Sequence, residues 1–304
     1  RPVVSENTPL NAEFSANEIR KEIAKQKDNA CSPLDRITNS MLVAGGDAVI
    51  DSLVVLFALI FKSGTSPKQW QQGVMTMIPK TGDLTDWANY RGITLLSIVG
   101  KVFEGVMANR IFTQLERTGK LPMEQGGFRK GYGCSDHMFV LAETIKHRAR
   151  RNLSTYCAFL DIRKAYPTMW RGGMLHDLAK AGIGGRMWRM VDRMYASTKT
   201  QITMDGQMST EYAVESGLRE GSVLSPILYS AFINGAIAEL QDKTPECGVE
   251  LEAGLRIRVL MYADDIVLVA KSPEHLQRML DVMEKHANKA QYQFSVPMTL
   301  ARLP

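Results

Sequence analysis

Cysteine is scarce in this 304-residue chain: Cys31, Cys134, Cys157 and Cys247 lie far apart and form no C-x-x-C pair. That spacing gives no disulfide framework and no thiolate zinc site, and leaves reduced, intracellular thiols as the expectation. Long apolar runs are missing too. The most apolar stretch, Leu53 to Phe61, is bounded by Asp51 and Lys62. It falls far short of the ~20 residues that span a bilayer, so a core helix is expected and no membrane anchor is implied. There is no secretory or transit pattern, and the chain opens on Arg1 instead of methionine. It is expected to begin inside a longer reading frame and to stop at a cut end, Ala301 to Pro304. Internal repeats and low-complexity segments are absent. No charge sign dominates, and a formal net charge of +5 suits a polyanionic partner without demanding one. With 45% hydrophobic and 23% charged residues, a disordered or fibrous chain is excluded.

What is present reads as a helical lead-in followed by a mixed region. Ser15-Ala16-Asn17-Glu18 has the form of a capping box, which predicts a helix over about Asn17–Lys27. Ser32-Pro33 and Gly45-Gly46 bracket a second short helix, and the run to Phe61 predicts a third, stopped near Ser63-Gly64. From Trp70 the texture changes. Strand-like runs are expected at Gly73–Pro79, Arg91–Leu96 and Thr155–Leu160, with helices at Val99–Leu115, Asp136–Arg151 and Pro226–Leu240. Met187, Met190 and Met194 make a helical packing stripe. The densest basic run, Lys146 to Arg151, closes a helix. A solvated face and a nucleic-acid contact compete as its meaning.

The most informative stretch is Arg256–Tyr262, then Ala263-Asp264-Asp265, then Ile266–Ala270. Two β-rich runs with carboxylates between them predict a hairpin with acidic residues at its tip. Turns favour a single Asp for ordinary reasons. Two in succession beside apolar strands, with Asp161 at the end of another strand, would bring together like charges that repel unless a cation intervenes. An all-oxygen set favours Mg²⁺, and two such ions can hold the attacking and leaving oxygens of a phosphoryl transfer. Spacing alone does not establish that Asp161 meets Asp264.

Six motifs in order carry a resemblance to the reverse transcriptases of non-LTR retrotransposons. They are Pro79–Asp83, Asn89–Ser97, Glu124–Arg129, Phe159–Tyr166, Gly217–Pro226 and Tyr262-Ala263-Asp264-Asp265, which matches the family's Y-A-D-D box. The resemblance runs from about Trp70 to Ala270 and implies an α+β right-hand polymerase with an antiparallel palm sheet. Residues 1–65 would form a helical N-terminal extension, 66–155 the fingers and 156–304 the palm, with the thumb absent. It assigns Asp161, Asp264 and Asp265 to catalysis and, with Ile162, to two Mg²⁺ ions, for which Mn²⁺ is a possible substitute. Lys80, Arg91, Glu220 and Gly221 fall to nucleotide binding, with Tyr166 as the steric gate against a ribose 2′-hydroxyl. Arg129, Arg148, Arg150 and Arg151 are the candidate nucleic-acid contacts. The implied partners are an RNA template, a DNA primer, dNTPs and other domains of the parent polyprotein, an endonuclease and a thumb. The implied setting is a retroelement ribonucleoprotein in cytoplasm and nucleus.

Two departures stand out. Glu220 occupies a place where the family usually carries Gln, exchanging a donor–acceptor for an acceptor-only anion near a triphosphate. Phe294-Ser295-Val296 resembles the start of the next palm segment, but the following lysine has no match in Pro297 to Leu300. A chain without a thumb is expected to bind primer–template weakly and to be poorly processive. Three other readings remain: a group II intron-type reverse transcriptase, an RNA-templated RNA polymerase, and an inactive polymerase-fold relic or nucleic-acid-binding scaffold.

Overall fold

The computed structural model describes residues 8–28, 33–86, 89–204, 206–251, 254–296 and 298–303. The elements in chain order begin with α1 (Ala16–Ile23), α2 (Asn39–Ala44), α3 (Gly46–Ser63), α4 (Lys68–Gln71), β1 (Gln72–Pro79), β2 (Tyr90–Leu95) and α5 (Ile98–Arg117). After α6 (Cys134–Ala149) and β3 (Thr155–Asp161) come α7 (Ala165–Thr168), α8 (Arg171–Lys180) and α9 (Gly185–Ala196). Three short strands follow, β4 (Lys199–Met204), β5 (Gln207–Met208) and β6 (Tyr212–Ala213), then α10 (Ser225–Lys243). The chain finishes with β7 (Val249–Glu250), β8 (Arg256–Ile257), β9 (Val259–Tyr262), β10 (Asp265–Ala270), α11 (Pro273–Ala290) and β11 (Thr299–Leu303). No described helix is long and apolar enough to cross a membrane. The α+β class with an antiparallel palm-type sheet is what forms.

Contacts divide the chain into two compact units, each built from two separated stretches. One is Arg1–Thr118 with Leu178–Ile227, and the other is Gly119–Asp177 with Leu228–Pro304. In the first unit the helical lead-in packs on α5 around Phe14, Phe57, Phe61, Trp70 and Phe103, whose rings meet mostly edge to face at 5.0–6.0 Å. Such clusters exploit the ring quadrupole as well as buried area. The predicted capping box forms, with Ser15 accepting from the Glu18 amide and the Glu18 carboxylate reaching back to the Ser15 amide. The helix ends at Ile23, short of Lys27, because Lys25 and Gln26 donate three residues back, to Glu22 and Ile23. That tighter spacing closes the last turn. Ser32, one bracket of the second predicted helix, lies outside the described residues.

The sheet of this unit runs β2-β1-β4-β5, with β6 also on β4. The β1–β2 pair is antiparallel and matches the two predicted runs, whereas β4 joins β1 in parallel, Gln72 opposite Lys199 through Thr76 opposite Thr203. No strand is predicted at 199–213, since its alternation is weak and its partner lies more than a hundred residues away.

In the second unit β11-β3-β10-β9 form an antiparallel sheet. Side-chain alternation sends Cys157 and Val269 to one face, where Val249, Ile257 and Leu141 pack on them. Helix α11 packs on β10 and β3, presenting Leu276, Met279 and Met283, and Ser272 caps it with Pro273 in its first turn as expected. One predicted strand is corrected. Arg256–Tyr262 is not continuous, because the chain breaks at Arg258. There β8 leaves to pair with β7, and the Arg258 carbonyl accepts from the Val269 amide at 2.8 Å.

Candidate active site

Strand β3 ends on Asp161 and β10 begins on Asp265, and the ladder sets these two residues directly opposite each other. Both are exposed, and they line an open depression of about 290 Å³ with Phe159, Leu160, Ile266, Val267, Ser295 and Thr299. Asp264 sits one residue away, in the two-residue loop Ala263-Asp264 closed by the Tyr262–Asp265 pair. Sequence spacing had left open whether Asp161 meets the acidic pair, and the register answers for Asp265. Among the described residues no cationic side chain pairs with Asp161 or Asp265. Like charges directly opposite on a ladder destabilise it, so this pair calls for a cation. The donors are all oxygen, as a hard divalent ion requires. Even so, the described residues hold no ready-made cluster of three His, Cys, Asp or Glu ligands.

Ser295 was not singled out from the sequence as a site residue. Its hydroxyl donates to Asp161 Oδ2 at 2.9 Å and its amide to the Asp161 carbonyl at 2.7 Å, fixing the carboxylate's orientation. Ile162 is buried and bridged to Phe294, so it has only its backbone carbonyl to offer an ion. Pro297, in the segment lacking the family's lysine, lies outside the described residues.

Tyr166 is half-buried on α7. Its ring stacks on Tyr229 at 5.3 Å and 14° and meets the edge of Phe128 at 6.5 Å. Tyr229 is 1% exposed and its hydroxyl has no hydrogen-bond partner among the described residues. Burial first, and then the Asp264 carboxylate, push its phenol well above its ordinary pKa. An aromatic in the first turns of a helix reads as core from sequence, so Tyr229 carried no signal of its nearness to the carboxylates.

Lys80, Arg91, Glu220 and Gly221 lie on the first unit. Lys80 and Arg91 are exposed at one end of the β1–β2 ribbon, where Pro79 pairs with Tyr90 and Ile78 with Arg91. Arg91 Nε stands 3.3 Å from Glu220 Oε2, and the Glu220 carbonyl accepts from the Thr94 amide at 2.8 Å. Gly221 has φ +113°, and a Cβ there would fall 2.3 Å from the Thr94 carbonyl oxygen, so only glycine fits. This loop is anchored from beneath. Glu104, buried in α5, binds the Arg219 guanidinium at 2.6 Å, the Ser222 hydroxyl at 2.6 Å and the Val223 amide at 3.2 Å. Arg219 also donates to the Trp70 carbonyl at 2.6 Å. The signal for this anchor was available: Glu104 interrupts an apolar helix face between Phe103 and Val106.

The basic candidates separate by environment. Arg129 donates to the Pro122 and Gln125 carbonyls and lies over the Tyr132 ring at 4.3 Å. Arg148 bonds the Ser154 and Lys271 carbonyls. Arg150 and Arg151 are exposed.

Comparison with known proteins matches residues 78–297 to the family described as reverse transcriptase (RNA-dependent DNA polymerase). The chain belongs to this family. It is 28% identical over 279 residues to the RNA-directed DNA polymerase from mobile element jockey of Drosophila funebris, covering 90% of this chain and 30% of that protein. It is 30% identical over 262 residues to a probable RNA-directed DNA polymerase from transposon X-element of Drosophila melanogaster, covering 85% and 27%. The polyprotein from type-1 retrotransposable element R2 of Nasonia vitripennis is 25% identical over 269 residues, covering 88% and 25%. The chain thus spans under a third of these relatives' length. Apo telomerase from Candida tropicalis, truncated from its C-terminal domain, shares the fold with TM-score 0.56 at 12% identity, covering 90% of this chain and 58% of that one. The relatives agree with the non-LTR resemblance carried by the motifs.

Proposed function

We propose that this chain is the catalytic core of a non-LTR retrotransposon reverse transcriptase, adding dNTPs to a primer 3′-OH on an RNA template. The observation that carries this is Asp161 facing Asp265 across the ladder, exposed and without a cationic partner among the described residues, with Asp264 on the adjoining turn. In the transfer, the primer 3′ oxygen bonds the α-phosphorus and the bond from that phosphorus to pyrophosphate breaks. The 3′-hydroxyl proton leaves to solvent. Asp161, Asp264, Asp265 and the Ile162 carbonyl would hold two Mg²⁺ ions, with Mn²⁺ as a substitute. When bound, these supply charge neutralisation at the attacking and leaving oxygens. Lys80 and Arg91 bind the triphosphate, and Tyr166, held flat by Tyr229, excludes a ribose 2′-hydroxyl. Arg150 and Arg151 contact nucleic-acid phosphates. The protein works in cytoplasm and nucleus within a retroelement ribonucleoprotein, alongside the remaining domains of its polyprotein.

The test is metal-dependent primer extension by the 304-residue chain, comparing RNA with DNA templates and dNTPs with rNTPs. Extension with dNTPs on RNA, abolished by Asp264→Ala, is the expected result. Nucleic-acid binding without extension would instead favour the scaffold reading, and a preference for rNTPs an RNA polymerase.

The Glu220–Arg91 ion pair gives the unusual Glu a definite consequence. A triphosphate reaching Arg91 must displace Glu220 or accept its charge nearby. Because Arg91 is exposed the pair is weak, so Glu220→Gln is expected to lower the dNTP KM by up to about fivefold. An unchanged KM in steady-state extension would show that the position does not matter.

A further inference from the structure

Gln125 is completely buried, and its side-chain amide is spent on backbone groups. The segment around it lies along the outer edge of β9: the Met261 amide donates to the Glu124 carbonyl at 2.7 Å, and the Gly126 amide to the Met261 carbonyl at 2.9 Å. From this position the Gln125 amide reaches the hairpin tip. Its Oε1 accepts from the Ala263 amide at 3.0 Å and from the Gly127 amide at 2.8 Å, and its Nε2 faces the Ala263 carbonyl at 3.5 Å.

Ala263 is the residue that needs such support. Its φ is +60°, a left-handed conformation that the Cβ of an L-residue disfavours. A non-glycine residue stays there only when its surroundings over-determine it. Here one side chain addresses both backbone polar groups of Ala263, immediately before Asp264. Gly127 allows the approach, since a Cβ on it would fall 2.3 Å from the Ala263 nitrogen and 2.9 Å from Gln125 Oε1. The far end of the segment is tied down by Arg129 on the Pro122 and Gln125 carbonyls.

We infer that Gln125 is a positioning residue for the metal site, holding the Ala263 turn so that Asp264 is delivered toward the Asp161–Asp265 pair. This rests on the polymerase reading for its purpose, though the clamp itself can be tested apart from activity. Gln125 is fully buried and bonds the Ala263 backbone, so its effect passes through backbone geometry. Since the described residues hold no closed cluster of three His, Cys, Asp or Glu ligands, orientation of the turn governs how readily the third carboxylate joins.

The experiment measures Mn²⁺ affinity of the full chain by electron paramagnetic resonance, together with thermal melting and extension kinetics. Gln125→Met keeps the side chain's length and removes its polar contacts. It is expected to weaken Mn²⁺ binding about five- to thirtyfold, the cost of a left-handed alanine left unsupported. It should lower kcat by about ten- to a hundredfold with dNTP KM within about twofold. Adding Ala263→Gly, which removes the left-handed penalty, should return Mn²⁺ affinity to within about threefold of the unmodified chain. Should Gln125→Met not fold, Gly127→Ala disturbs the same tip from the other side, and the same loss of Mn²⁺ affinity is expected.

Unchanged Mn²⁺ affinity in the variant, with or without a lower melting point, overturns the proposal, and so does failure of Ala263→Gly to rescue it. If the unmodified chain binds Mn²⁺ but extends no primer, the polymerase reading fails while the clamp is still judged by the Mn²⁺ data. An unmodified chain that binds no Mn²⁺ overturns both.

Discussion

Asp161→Asn is expected to lower RNA-templated extension on the order of a thousandfold while leaving the metal-free protein at least as stable as before. The two effects have one cause. Asp161 and Asp265 stand directly opposite each other, exposed and without a cationic partner among the described residues. A directly opposed like-charge pair costs a sheet roughly 0.2–1 kcal/mol, and neutralising one member recovers it. Asn retains an oxygen for the Ser295 hydroxyl, which donates at 2.9 Å, so the local geometry has no reason to change. The same neutralisation removes the negative charge that a divalent cation requires. Extension rates and metal-free melting curves, measured side by side, check both halves. A variant that loses activity only by unfolding, or that keeps a tenth of its activity, would refute the assignment.

Glu104→Ala is expected to lower unfolding free energy by about 3–5 kcal/mol and to raise the dNTP KM. Glu104 and Arg219 are both about 4% exposed at their side chains and are joined at 2.6 Å. Removing the carboxylate strands a buried guanidinium with the Trp70 carbonyl as a remaining acceptor, and leaves Ser222 and Val223 without theirs. A buried charge that loses its partner costs far more than the intact pair contributes. The loop that carries Glu220 and Gly221 loses its anchor in the same step. Replacing both partners with apolar residues, Glu104→Leu with Arg219→Met, should recover much of the stability but not the KM. Chemical denaturation of the three proteins tests this, and a loss under about 1 kcal/mol in Glu104→Ala would show that water reaches the pair.

The residues proposed to carry the chemistry were legible because their motifs are local. The Y-A-D-D box, the strand ending on Asp161 and the helix after Ser272 each announce themselves within a few residues. The elements around them followed from periodicity and caps. The supporting interactions were not legible, because they depend on distant partners: Glu104 on Arg219, Gln125 on Ala263, Ser295 on Asp161, β4 on β1. A buried glutamine within a Gly-rich loop has no sequence signature of its target. The departure at Glu220 was visible, but its ion pair with Arg91 needed the loop's path over Thr94.

The pairing of β3 with β10 also limits how the gene can change. Along β3 and just past its end, the exposed Phe159 and Asp161, which both line the open depression, alternate with the buried Leu160 and Ile162. Substitution at Phe159 alters the lining of the depression without turning the strand. Insertion or deletion of a single codon between Cys157 and Asp161 would turn the carboxylate inward, and the same holds between Asp265 and Val269. Drift by point mutation is therefore open to these strands, whereas drift in length is closed. Family members in which these two segments differ in length from their working relatives should lack extension activity, however well their motifs survive.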